Sequence, residues 1–209
     1  MGDLLALELA ATIRHDGHGG VADDLETVDA LARWLRGKDE RLRRILDVGP
    51  TTADGPRTAD EETLCAVREV RSAVRALFAR AVAPRPPSRA DSADLPPTAI
   101  ALDVLATAAA RVPSAPRLDW PEGGRPVVVG IAPPAPPSAD LLPATLARAA
   151  IDFLAGEDRT RLRACPAPRC ARYFVKEHPR QEWCGPACGN RARVARHHRR
   201  HRAGETEPA

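Results

Sequence analysis

The 209-residue sequence predicts a mainly α protein: a multihelical N-terminal domain with one small β-hairpin, followed by a small C-terminal module built on cysteines. Three observations carry this prediction. Hydrophobic residues make up 44% of the chain but aromatics only 3%, so the core is built mainly from Ala, Leu and Val, which suits packed helices better than large sheets. Apolar positions recur at helical spacing in several long segments. Four of the five cysteines fall between Cys165 and Cys188.

The chain opens on an apolar segment (Leu4, Leu5, Leu7, Leu9 and Ile13), and "HDGHGG" then reads as a loop. Asp23 followed by Glu26 offers a capping box, after which Leu25, Val28, Leu31, Trp34 and Leu35 recur at helical spacing up to Gly37. The clearest helix carries Leu64, Val67, Val70, Val74, Leu77, Phe78 and Ala81 in one stripe. Arg68, Arg71, Arg75 and Arg80 are expected mainly elsewhere on its surface. Cys65 is expected near its core face as a packing residue. "APRPPSRADSADLPP" breaks the chain, and "TAIALDVLATAAARV" resumes as helix. Two β-prone runs flanking a turn that contains Pro121 and the pair Gly123-Gly124 predict a hairpin or arm from Arg117 to Ile131. "APPAPPS" then precedes a helix from Ala139 to Ala155, with Ser138 as N-cap and Leu142, Leu146, Ala149, Ala150 and Phe153 facing inward.

Charge divides the chain. Residues 159–202 hold 13 Lys and Arg against 2 Glu, a net +11, which leaves −8 for the remainder of a chain whose total is +3. The N-terminus has no basic region before its apolar run and carries Asp3 and Glu8 within it, so no secretory signal is read. No run approaches the roughly 20 apolar residues that span a bilayer, and Ala6 stands where a myristoylation signal needs Ser or Thr. A cytoplasmic protein without a membrane partner is expected, in a reducing compartment where cysteines serve as metal ligands more readily than as disulfides. Residues 1–158 contain no nucleophile elbow, phosphate loop or dinucleotide fingerprint, and no enzyme activity is expected.

The cysteines read Cys165-x4-Cys170-x13-Cys184-x3-Cys188. Two close pairs separated by a dozen or so residues are what a structural zinc site needs, each pair supplying two thiolates from one tight turn. Two disulfides are the bland alternative. A rival ligand set, Cys184, Cys188, His197 and His201, has only eight residues between its pairs, too few for the hairpin and half-helix of a classical finger, and leaves Cys165 and Cys170 without a purpose. An iron-sulfur cluster is a further alternative, though the usual spacings for one are missing. With four thiolates the site is closed, so one Zn2+ would hold the fold and do no chemistry. Between the pairs, "ARYFVKEHPRQEW" reads as a hairpin turning near His178-Pro179, with Tyr173 and Val175 on one side and Phe174 on the other.

Pro186 suits the first turn of a helix. Projected onward at 100° per residue, Cys188, Ala192, Ala195 and Arg199 share one face, while Arg193, Arg196, His197 and Arg200 form a sector opposite. An arginine-rich helix mounted on a metal module suits nucleic acid, because guanidinium groups pair bidentately with phosphates and guanine edges. The alternative is a basic helix that docks on an acidic partner or on the protein's own acidic half. No heptad seam is visible, and the sequence assigns neither an effector nor an oligomeric state.

The string Cys188-Gly189-Asn190-Arg191 resembles the signature of the CGNR zinc finger family, supported by "LRACPAPRCARYF" and "EWC" before it and the basic helix after it. The N-terminal part resembles the ABATE domain in "LALELAATI", "LETVDALARWL", "REVRSAVRALF" and "LARAAIDFLAGEDRTRLRAC". The resemblance implies a bacterial, stress-induced transcriptional regulator with a helical domain over residues 1–158, a zinc finger over 159–202 and a tail over 203–209. It implies zinc ligands at Cys165, Cys170, Cys184 and Cys188 and DNA as partner. Arg191, Arg193, Arg196, Arg199 and Arg200 are the candidate contacts. Gly189 would permit close backbone approach, Asn190 would hydrogen-bond a knuckle backbone group or a thiolate, and Arg191 would neutralise the thiolates or grip phosphate. Two segments depart from the usual pattern: Ala11-Thr12 stands in place of Asn-Thr, and "VKEHPRQEWC" is shorter and less basic.

Overall fold

The computed structural model describes residues 4–18, 20–38, 59–91, 95–113, 115–131 and 138–204. Among these are six α-helices and three two-stranded antiparallel hairpins, in accord with the mainly α prediction. Helix α1 (Leu5–Ala10) is followed by strands β1 (Ile13–His15) and β2 (Val21–Asp23), then α2 (Val28–Arg36). Helices α3 (Glu61–Val82) and α4 (Thr98–Ala110) precede the hairpin β3 (Ala115–Asp119) and β4 (Val127–Ile131). Helix α5 (Ser138–Ala155), a 3-10 turn (Glu157–Arg161), β5 (Leu162–Ala164), β6 (Tyr173–Val175) and α6 (Pro186–Gly204) complete the chain.

The core forms where the apolar stripes of α3, α4 and α5 meet, with α1 lying across α3 and α5. Leu64, Val67, Val70, Val74, Leu77 and Phe78 are all buried, and Phe78 lies 5.3 Å, centroid to centroid, from Phe153 of α5. All five inward positions expected on α5 are buried. Helix α3 is capped by Asp60, whose carboxylate accepts from the Thr63 N–H at 2.7 Å. Arg148 of α5 donates to the carbonyls of Ala109 (2.8 Å) and Val112, satisfying groups that the end of α4 leaves open.

Several local expectations give way to tertiary structure. The loop expected from His15 begins one residue later, because His15 closes β1 and pairs with Val21 of β2, as Ile13 pairs with Asp23. The cap of α2 is Thr27, which accepts from Ala30 N–H at 3.2 Å. Asp23 is drawn away to Arg71. Cys65 is exposed, not packed. Arg71 and Arg75, expected on the surface, are 5% and 3% exposed. On a 100° wheel Leu64 lies between these two arginines, so the edge of the stripe already included them. Residue type alone argued for water.

Arg71 spans the carboxylate of Asp23 with two bonds of 2.5 and 2.7 Å and donates to Thr12 Oγ1 at 3.0 Å, while that hydroxyl donates to the Leu9 carbonyl at 2.7 Å. Thr12, the retained half of the departed Asn-Thr pair, thus links α1 to α3. The β3–β4 hairpin, by contrast, projects from the body: all of β3 is exposed, and Leu118 and Trp120 are 63% and 66% accessible.

Candidate metal centre and basic helix

The C-terminal module is built around two tight turns. In the first, Cys165 to Cys170, Arg169 takes a left-handed φ of 57° immediately before Cys170, and Cys165 N–H donates to the Arg172 carbonyl at 2.9 Å, closing the turn on itself. The strands flanking this turn are β5 and β6, with Leu162 opposite Val175 and Ala164 opposite Tyr173. The hairpin therefore lies around the first knuckle, whereas the sequence placed it between the knuckles. The alternation read for 173–175 was right about the strand but could not name its partner. Near His178 the chain does turn, with Gln181 N–H on the His178 carbonyl at 2.9 Å, but the return segment is not a strand.

Alternation along β6 splits two cores. Tyr173 enters the helical core beside Phe78, at 5.4 Å between centroids, and Leu162 is fully buried there too. Phe174 points the other way, into a small cluster with Cys165, Ala167, Cys170 and Cys188, against which Trp183 packs. Packing is thus continuous across the expected domain boundary.

The second knuckle runs into α6, which starts at Pro186, where a missing N–H costs nothing. Cys188 and Gly189 N–H groups both donate to the Gly185 carbonyl, at 3.1 and 3.2 Å, so the first turn of the helix aims Cys188 back at the first knuckle.

All four sulfurs of Cys165, Cys170, Cys184 and Cys188 lie within 4.8 Å of one another. Cys170 and Cys184 sulfurs are 3.7 Å apart, Cys184 and Cys188 sulfurs 3.4 Å. A tetrahedron of zinc–sulfur bonds of about 2.3 Å has edges of about 3.8 Å, so this donor set fits zinc in size and softness. It does not fit disulfides, which need about 2.05 Å; the cysteines are free thiols. Of the rival histidines, His197 does not join the cluster and is exposed along α6, while the His201 side chain lies outside the described residues.

Protons are unevenly held among these sulfurs. Hydrogen bonds from the Cys170 and Cys184 thiols pull Cys165 far below the usual thiol range, despite its burial. Donating to Cys165 pushes Cys170 and Cys184 up, and burial adds to the rise. Cys165 is thus held toward its thiolate while Cys170 and Cys184 resist ionisation, because thiolates packed this closely need a cation to share.

Each residue of the CGNR string has a distinct environment. Gly189 is buried, and a Cβ there would come within 3.3 Å of the Trp183 ring, so close approach is to an aromatic side chain. Asn190 is exposed and accepts from Arg193; it does not reach a knuckle backbone group or a sulfur. Arg191 donates to Cys188 Sγ at 2.9 Å. Beyond it, Ala192 and Ala195 are half-buried while Arg193, Arg196, Arg199 and Arg200 are exposed. The helix continues to Gly204, and among the described residues no other helix or strand packs extensively against it.

Two family profiles match in chain order: ABATE, described as "Putative stress-induced transcription regulator", over residues 3–157, and the CGNR zinc finger over residues 161–201. Neither is an enzyme family. No curated protein is similar enough to the chain to match. Among the described residues, no helix is long and apolar enough to cross a membrane.

Proposed function

Because the chain belongs to the ABATE family and ends in a CGNR zinc finger, we propose that it is a DNA-binding transcription regulator of the cytoplasm. In this reading one structural zinc is held by Cys165, Cys170, Cys184 and Cys188, and the exposed face of α6 contacts DNA. The observation that carries the reading is the convergence of four thiols of tetrahedral size at the root of an exposed arginine helix. The zinc would fix the direction of α6 and perform no reaction, since all four positions are filled by protein. Arg193, Arg196, Arg199 and Arg200 then present guanidinium groups to phosphates, which supplies affinity without sequence specificity. Arg191 serves the thiolates first, with one terminal nitrogen already committed to Cys188. The test is retention of genomic DNA fragments by the purified zinc-loaded protein across a salt series, followed by sequencing of the retained pool. Zinc-loaded protein that retains no DNA at low salt would move the function to an acidic protein partner for α6.

A further inference from the structure

The cysteine cluster is held in place by residues remote from it in sequence. Arg75, on α3, has a side chain only 3% exposed, and all three of its guanidinium nitrogens donate hydrogen bonds. Its Nε donates to Asp91 at 2.6 Å and one terminal nitrogen donates to the Ala10 carbonyl at 2.6 Å. The other terminal nitrogen donates to Ser88 Oγ at 3.2 Å and the Ala171 carbonyl at 3.3 Å. Ala171 directly follows the ligand candidate Cys170. Ser88 Oγ donates to the same carbonyl at 2.9 Å, and Ser88 N–H donates to the Tyr173 hydroxyl at 3.2 Å. That hydroxyl in turn donates to Asp91, whose side chain is 2% exposed, and the Arg75 guanidinium lies 5.6 Å from the Tyr173 ring centre.

A buried ion pair is tolerated only when its remaining hydrogen-bonding positions are filled. Here the Tyr173 hydroxyl and the Ala171 carbonyl fill two of them, and both belong to the cysteine module. The next carbonyl along, that of Arg172, accepts from Cys165 N–H. Successive peptide carbonyls just before β6 therefore bind the upstream domain and the first knuckle, so a shift of one contact is felt at the other.

We propose that Arg75, Ser88 and Asp91 are positioning residues for the metal centre. The helical domain sets the zinc affinity of the cysteines, and zinc occupancy is reported back to the 83–91 segment and α1. This rests on the zinc reading above. Linkage requires the coupling to act equally in both directions.

The experiment uses the full chain. Zinc affinity is measured by competition with a chromophoric chelator for wild type, Ser88→Ala, Tyr173→Phe and, as a control, Leu105→Ala, which opens a cavity in α4 away from the module. Cobalt substitution of each reads the geometry of the centre from its d–d bands, and amide exchange with and without zinc reads the segment 83–91. Ser88→Ala and Tyr173→Phe each weaken zinc by about tenfold, within the range typical of residues that orient ligands from outside the coordination sphere, and alter the cobalt bands. Leu105→Ala leaves affinity and bands unchanged while lowering the melting temperature. Zinc raises the exchange protection of residues 83–91. Unchanged affinity in the first two variants, or an equal loss in Leu105→Ala, overturns the positioning role while leaving the centre itself intact. A wild-type chain that binds no zinc overturns the reading of the centre, and this inference with it.

Discussion

A terminal nitrogen of Arg191 sits 2.9 Å from the sulfur of Cys188, three residues back on the same helix. The contact raises the affinity of the guanidinium for its proton through the bond to sulfur, and it places a fixed positive charge beside a cluster that carries −2 when four thiolates hold one zinc. Arg191→Met keeps the length of the side chain and removes the charge. Its expected effect is a roughly tenfold loss of zinc affinity in chelator competition, with the salt dependence of DNA binding almost untouched. A variant with wild-type zinc affinity and a salt slope reduced by about one would instead make Arg191 a phosphate contact.

Gly189 faces Trp183 at a distance that tolerates little. A Cβ would stand 3.3 Å from ring carbon Cε3, so the indole must yield by a few tenths of an ångström. In a helix alanine is favoured over glycine by about 1 kcal/mol, which offsets that contact, and Gly189→Ala should change stability little. Gly189→Val adds branching against the ring and loses propensity. It is expected to cost about 2 kcal/mol and to shift Trp183 fluorescence. A thermal melt of both variants checks the contrast; equal losses would mean that backbone freedom, not the ring, selects glycine.

How much of this could be read from the sequence follows physical range. The stripe of α3, the start of α6 at Pro186 and the four cysteines depend on spacing within a turn or two, and spacing is written in the chain. The ion pairs Asp23–Arg71 and Asp91–Arg75 join residues 48 and 16 positions apart, so nothing local marks them. The three-residue strands β1, β2, β5 and β6 are too short to show alternation that identifies a partner. For Asn190 the string suggested a role at the knuckle, but its place on the outer face of α6 gives it Arg193 as a neighbour.

Asp23 ties the stability of the N-terminal domain to pH. Partial burial pushes its carboxyl up, but the hydrogen bonds from Arg71 and Leu25 N–H and the charges of Arg71 and Arg68 outweigh that and hold it below its usual 3.8. A carboxyl lowered on folding adds stability that is fully present above its unfolded value and is lost as pH falls through the folded one. Melting temperature should therefore drop below about pH 4. Asp23→Asn should cost about 2 kcal/mol at neutral pH, since it leaves Arg71 buried with a weaker acceptor, and should flatten the acid dependence. Wild type and variant losing stability in parallel below pH 4 would assign the acid effect to other carboxylates.

The exposed arginines of α6 give the sharpest test of contact with DNA. Arg193, Arg196 and Arg200 are all exposed and lie within one sector of a helix that the knuckles hold at its first turn. Each phosphate neutralised on duplex DNA contributes roughly 0.9 to the slope of log affinity against log salt. Replacing all three with alanine should lower that slope by up to about 2.7 if every one meets a phosphate, while zinc content stays at the wild-type level because none of them reaches a sulfur. The loss should be similar for any duplex sequence, as befits phosphate contacts. A loss confined to one retained sequence would instead place at least one of these side chains on a base edge, where a single bidentate pair is worth about 1 to 3 kcal/mol. An unchanged slope in the triple variant would remove α6 from the DNA interface altogether.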